Sequence, residues 1–163
     1  MTRAVLSVGS NLGDRLARLQ GAVDAVRPWL VAVSAVYETA PWGGVDQDDF
    51  LNAVLIAEDP AAEPQDWLAR AQGAEQAAGR TRQIRWGPRT LDVDIVDVEG
   101  FRSSDPDLTL PHPRTHERAF VLVPWAAVDP AATLAGVPVG ELLAALPAAD
   151  VAGVRARPDL VLR

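Results

Sequence analysis

Apolar residues fall along the chain in short runs with two different periods. Ala4 to Val8 is a short apolar run closed by the turn formers Gly9, Ser10 and Asn11, which predicts a strand. Leu12, Leu16, Leu19, Val23 and Val26 then recur at intervals of four, three, four and three, the spacing of one helical face, and Pro28 stops it. Val31 to Tyr37, dominated by β-branched and small residues, predicts a strand, and Phe50 to Ala57 another. Between them, Glu38 to Asp49 holds two glycines, a proline and four acids and reads as a long loop. Pro64 to Ala78, rich in Ala, Gln and Glu, predicts a helix that Gly79 terminates. Gly79 to Thr90 is a second long loop. Leu91 to Val98 alternates as a strand does and ends at a Glu99-Gly100 turn. Pro111 to Arg118 reads as a loop leading into a short helix, followed by the apolar Val121 to Trp125. In the alanine- and proline-rich last third, a short helix over Gly140 to Leu146 and an edge strand over Val151 to Arg157 stand out.

The order β-α-β-β-α-β predicts an α+β fold, a ferredoxin-like sandwich in which helices pack on one face of an antiparallel sheet. A doubly wound parallel sheet would need a helix between Val31–Tyr37 and Phe50–Ala57, and the proline- and glycine-bearing loop there offers none. At 163 residues and 48% apolar, the chain is long enough to bury a core and is read as one domain over residues 1–163.

Charge and composition narrow the chemistry. There are 22 acids against 15 bases, and every base is arginine. The absence of lysine removes Schiff-base chemistry and the Walker A lysine. The absence of cysteine removes disulfides, thiolate metal sites and a cysteine nucleophile. A formal charge of −7 speaks against nucleic-acid or anionic-membrane partners. No apolar run reaches the roughly 20 residues that span a bilayer. The expectation is a cytoplasmic monomer that binds small anions locally, through arginine.

Four segments carry chemistry. In Leu91-Asp92-Val93-Asp94-Ile95, strand alternation puts Asp92 and Asp94 on one face, about 6–7 Å apart at roughly 3.3 Å per residue. An isolated pair of this kind is as readily a solvated face as a cradle for divalent cations. The preceding segment shifts the balance. Arg80, Arg82, Arg85 and Arg89 lie within ten residues, and no acid falls between Gln76 and Leu91. Arginine's planar fork suits phosphate oxygens, and Mg²⁺ takes carboxylates together with phosphate oxygens. Together they suggest phosphoryl-type transfer from a nucleotide. Downstream, His112 sits between Pro111 and Pro113 with Arg114 and Arg118 following, placed to donate to a phosphate or a base. Upstream, Asn52 on an apolar strand near the aromatic Phe50 offers donor and acceptor edges to a flat heterocycle.

The run Arg85-Trp86-Gly87-Pro88-Arg89-Thr90-Leu91-Asp92-Val93-Asp94 resembles the signature of the 6-hydroxymethyl-7,8-dihydropterin pyrophosphokinases of folate biosynthesis. The resemblance extends to Gly9 through Asp14, to Tyr37 through Asn52, and to Pro111-His112 with Arg118 and Phe120, covering roughly residues 3–126. It implies an enzyme that moves pyrophosphate from ATP to the pterin hydroxymethyl group and releases AMP. By the same resemblance, Asp92 and Asp94 hold two Mg²⁺ ions, and Arg80, Arg82 and Arg89 close over the phosphates as part of a mobile lid over Gly79 to Thr90. Trp86 covers the pterin, Thr39 and Trp42 line its slot, Phe50 and Phe120 sandwich the ring, and Asn52 reads its amide edge. His112 and Arg118 contact ATP, with Gln72 and Glu75 beneath the nucleotide.

Two rivals share the architecture. A metal-dependent nucleotidyltransferase or nuclease would want a basic groove, which the acidic composition opposes. A non-enzymatic small-molecule regulatory module would have no need of two aspartates beside four arginines.

Overall fold

The structure, a computed structural model, describes residues 3–41, 47–79 and 90–163. The expectations for Trp42, Arg80, Arg82, Arg85, Trp86, Arg89 and the lid lie outside the described residues.

The first strand, β1 (Arg3–Ser10), is buried from Ala4 onward. Helix α1 (Arg15–Val26) follows, with Asp14 capping it by accepting the Ala17 N–H. Leu19, Ala22, Val23 and Val26 face the core. Leu12 does not belong to that face: it precedes the helix and is 45% exposed, because Gly13 takes a left-handed turn (φ 73°) before the cap.

The strand expected over Val31 to Tyr37 is two short strands, β2 (Leu30–Val33) and β3 (Tyr37–Thr39), both laid against β4 (Phe50–Glu58). The break comes at Ser34. Its N–H donates to the Val54 carbonyl, and its hydroxyl accepts the Val54 N–H in place of a backbone carbonyl. Glu38 and Thr39 therefore belong to a strand, and the long loop starts after them.

Helix α2 (Pro64–Ala77) opens on proline, and Asp66 accepts the Glu63 N–H. Trp67, Ala71 and Ala74 are its buried face. Trp67 meets Trp29 edge to face at 6.2 Å. The Arg70 guanidinium lies 3.6 Å from the Trp29 ring centre and 2.7 Å from Asp59 Oδ2.

Strand β5 (Asp92–Val98) is followed by a hairpin that sequence periodicity did not suggest, β6 (Ser103–Asp105) with β7 (Leu108–Leu110). Helix α3 is Ala119–Val128. The last third holds a two-residue hairpin, β8 (Thr133–Leu134) with β9 (Val137–Pro138), then α4 (Val139–Ala144), α5 (Ala148–Ala152) and β10 (Arg155–Ala156). The edge strand expected over Val151 to Arg157 is thus only its last part, since α5 takes Val151 and Ala152.

The main sheet runs β10-β3-β4-β1-β5 with every pairing antiparallel, the ferredoxin-like order. One core fills the face covered by α1 and α2, built on Ala4, Leu6, Val8, Leu51, Leu55, Val93 and Ile95. The other face is not bare, as helices on one face alone would leave it. Val5, Val54, Ile56 and Val96 pack there beneath Val121, Leu122 and Trp125 of α3. That second core covers only half of the face, because β1, β4 and β5 all change from apolar to polar side chains toward their other ends.

Candidate active site

The half of the second face beyond α3 is a set of paired rows. Strand register aligns Tyr37, Asn52, Gly9 and Asp92 across four strands, and beside them Val54, Ser7 and Asp94. Thr39 pairs with Phe50 one step further on. Residues opposite one another in a sheet point to the same side, so Asn52, Phe50, Thr39, Asp92 and Asp94 share one surface with no side chain between Asn52 and Asp92.

Gly9 keeps that gap open. A Cβ there would stand 3.2 Å from Asn52 Oδ1 and 3.6 Å from Phe50 Cδ1. The missing methyl leaves the floor flat where a planar ring could lie between an amide and an aromatic. The Asn52 amide donates to the Thr39 hydroxyl at 2.8 Å, both side chains being buried. This bond fixes which way the amide points and leaves its carbonyl oxygen and second N–H for a ligand.

At the other end, Asp92 and Asp94 are only half-buried. A bulge follows them. Leu6 pairs with Ile95 but Val5 with Asp97, so Val96 is an extra residue in β5. The Val96 carbonyl accepts the His112 N–H at 2.8 Å, which ties the Pro111–Arg118 loop to the end of the aspartate strand. The Leu110–Pro111 bond in that loop is cis. His112 Nδ1 accepts the Arg114 N–H at 3.3 Å. Burial first, then the Arg118 and Arg114 charges, push the His112 imidazole below its ordinary value, outweighing Asp92. A neutral ring whose Nδ1 is an acceptor carries its proton on Nε2, so His112 offers an N–H donor.

Arg118 completes this end. It stands at the entrance of α3 with Nη1 3.7 Å from Asp94 Oδ2 and its guanidinium carbon 5.6 Å from the Phe120 ring centre. Phe120 itself is partly buried against the second core.

The expected nucleotide pair on α2 divides. Glu75 Oε2 accepts the Val93 N–H at 2.9 Å, between the two aspartates, so it holds the backbone of the carboxylate strand. Gln72 is exposed on α2, the helix on the opposite face. Among the described residues, no group of three or more His, Cys, Asp or Glu is arranged to hold a metal. Two carboxylates fit Mg²⁺ better than a full protein cage would, since Mg²⁺ keeps waters and takes phosphate oxygens for its remaining positions.

Two features escaped sequence reasoning. Gly9 reads as an ordinary turn former there, although a glycine at the end of an apolar strand signals close approach of another group. The second is Glu38, joined to Arg15 and Arg157. Residues 119 apart leave no local signal of their pairing.

A family model described as 7,8-dihydro-6-hydroxymethylpterin-pyrophosphokinase matches residues 5–130. Curated relatives named 2-amino-4-hydroxy-6-hydroxymethyldihydropteridine pyrophosphokinase include that of Mycobacterium tuberculosis, 56% identical over 95% of this chain and 89% of the relative. That of Mycobacterium leprae is 54% identical over 95% and 88%, and that of Bacillus subtilis 40% over 77% of each chain. Among solved structures, the wild-type Plasmodium falciparum HPPK-DHPS crystal structure superposes with a TM-score of 0.65 at 15% identity, covering 86% of this chain and 44% of that one, which supports the fold. The chain belongs to the 7,8-dihydro-6-hydroxymethylpterin-pyrophosphokinase family.

Proposed function

We infer that the half of the sheet face beyond α3 transfers pyrophosphate from ATP to the hydroxymethyl group of 6-hydroxymethyl-7,8-dihydropterin, releasing AMP. The observation that carries this reading is the Asn52–Gly9–Asp92 row. A slot with an amide edge and a flat floor adjoins a carboxylate pair across a single glycine, so a heterocycle and a metal-bound polyphosphate can meet there.

In the reaction, the pterin hydroxyl oxygen forms a bond to the β-phosphorus of ATP. The bond from that phosphorus to the oxygen bridging the α- and β-phosphates breaks, and the hydroxyl proton passes to solvent water. AMP leaves with the bridging oxygen. Such a transfer asks the protein for in-line placement and charge neutralisation more than for covalent chemistry. Asn52, oriented by Thr39, reads the pterin edge, and Phe50 and Phe120 supply aromatic faces. Asp92 and Asp94 would hold two Mg²⁺ ions, which supply charge neutralisation across the triphosphate and lower the pKa of the attacking hydroxyl. Arg118 and the His112 Nε2–H serve phosphate or base atoms of ATP. Trp42 and Trp86 are assigned to the pterin, Arg80, Arg82 and Arg89 to the phosphates, and Gln72 and Glu75 to the nucleotide side, on the family signature alone.

The reading includes one pyrophosphokinase domain over residues 1–163, acting as a cytoplasmic monomer. No helix among the described residues is long and apolar enough to cross a membrane. Phosphorus NMR of a reaction containing protein, Mg·ATP and the hydroxymethyl-dihydropterin tests the function. AMP and a pterin bearing two coupled phosphorus resonances are expected. ADP, or free pyrophosphate, as the phosphorus product would refute it.

A further inference from the structure

The family match ends at residue 130, yet the last residues of this chain reach back to the pterin side of the site. Strand β10 pairs with β3, Arg155 opposite Glu38 and Ala156 opposite Tyr37. Next to it, the Arg157 N–H donates to the Val36 carbonyl at 2.9 Å. Glu38 lies between Tyr37 and Thr39, so its side chain points to the face opposite the slot, where the α1 entrance lies.

There Glu38 is hydrogen-bonded by two arginines, and Arg155 Nη2 stands 4.0 Å from its Oε1 as a third cation. Arg157 Nη1 donates to Oε1 at 2.9 Å and Arg15 Nη1 to Oε2. Arg157 is itself oriented by Asp159, which takes its Nε and Nη2 at 3.0 and 2.8 Å. Arg15, together with Arg155, also grips the residue just before Phe50. Arg15 Nη1 donates to the Asp49 carbonyl at 3.0 Å, and Arg155 Nη2 to Asp49 Oδ2 at 2.8 Å. Glu38 and Asp49 immediately flank Thr39 and Phe50, two of the slot residues.

We propose that Arg155 and Arg157 of the C-terminal segment are positioning residues for the pterin slot, fixing Thr39 against Phe50 by clamping Glu38 and Asp49 from behind the sheet. The arginines touch no substrate. Their effect travels through two backbone steps, from Glu38 to Thr39 and from Asp49 to Phe50, and Thr39 in turn sets the rotamer of Asn52. The inference rests on the assignment of that slot to the pterin. Among the described residues, the nucleotide end on β5 and α3 shares none of these contacts, so the clamp acts on one substrate.

The test is steady-state kinetics of Arg157→Ala, Arg155→Ala and Arg157→Lys beside the unaltered protein, with pterin and ATP varied separately. For each alanine variant the pterin KM is expected to rise about 3- to 30-fold, the range seen for residues coupled to a site without touching it. The ATP KM and kcat should stay within about twofold, well below that range. Arg157→Lys should recover part of the loss, and high salt should raise the pterin KM of the unaltered protein more than that of Arg157→Ala. If Arg157→Ala fails to fold, the exposed Arg155 carries the test. A pterin KM unchanged in Arg155→Ala and Arg157→Ala, or pterin and ATP affinity lost in equal measure, would overturn the clamp while leaving the site assignment intact. An unaltered protein that turns over Mg·ATP without consuming pterin would overturn the site assignment itself.

Discussion

Arg118 Nη1 lies 3.7 Å from Asp94 Oδ2, across the gap between the entrance of α3 and the carboxylate strand. A guanidinium at this spot balances the carboxylate pair, and in the proposed reaction it serves the polyphosphate. Arg118→Ala is expected to raise the ATP KM by about 10- to 100-fold, the worth of one hydrogen bond to a charged group. The pterin Kd, read by fluorescence titration in the absence of nucleotide, should change far less. Equal losses for the two ligands would mean that Arg118 serves mainly to seat Phe120.

Gly9 tests the flat floor. A Cβ 3.2 Å from Asn52 Oδ1 forces the amide aside by a few tenths of an ångström, and it fills the space next to Phe50. Gly9→Ala should weaken pterin binding about tenfold, in keeping with an overpacking cost of about 1–3 kcal/mol. Isothermal titration with the pterin measures this. Unchanged affinity would show that the ring does not lie over Gly9.

Glu38 gives the fold a pH dependence. Its carboxyl is held below the ordinary value of 4.5 chiefly by the hydrogen bond from Arg15, with that from Arg157 adding to it, against the cost of burial. A group whose pKa is lower in the folded state contributes stability that is fully present above its unfolded value and is lost as pH falls through its folded value. The Tm gap between the unaltered protein and Glu38→Gln should therefore be constant from neutral pH down to about 5 and close below about 4.5, the unfolded carboxyl range. A gap unchanged down to pH 3 would contradict the ion-pair account.

Arg70 separates folding from function. It stacks on Trp29 and Trp67 and pairs with Asp59, on the face away from the site. Arg70→Ala should lower Tm, at a cost of about 1–3 kcal/mol for the lost ring contacts and the stranded carboxylate, and leave both KM values unchanged. Altered KM values with an unaltered Tm would contradict this division.

The strands and helices that build the first core were legible because their periodicity is local: Leu16, Leu19, Val23 and Val26 recur on one helical face, and Val93 and Ile95 alternate with Asp92 and Asp94. The split of the second strand was not, since it depends on a single serine hydroxyl replacing a carbonyl at Val54. Nor was the second layer, because α3 is apolar nearly all round and carries Pro124, so its sequence shows no one-sided stripe to betray which surface it covers. In the candidate site, the spacing of Asp92 and Asp94 placed both carboxylates on one face correctly. Their relation to Asn52 through Gly9 is a matter of register between three strands, which neither spacing nor composition encodes.

The central claim is that the Asp92–Asp94 pair performs the transfer while the Asn52–Thr39 end holds the pterin. Single-turnover formation of AMP by the unaltered protein, Asp92→Ala and Asp94→Ala, with pterin binding measured on the same samples, tests it most directly. One AMP per pterin consumed is predicted for the unaltered protein. In each aspartate variant, AMP formation should fall by at least about a thousandfold, the scale of removing an electrostatic group from a phosphoryl-transfer site, while pterin affinity stays close to that of the unaltered protein. AMP formed at an undiminished rate by Asp94→Ala, or pterin binding lost together with turnover in both variants, would contradict the account.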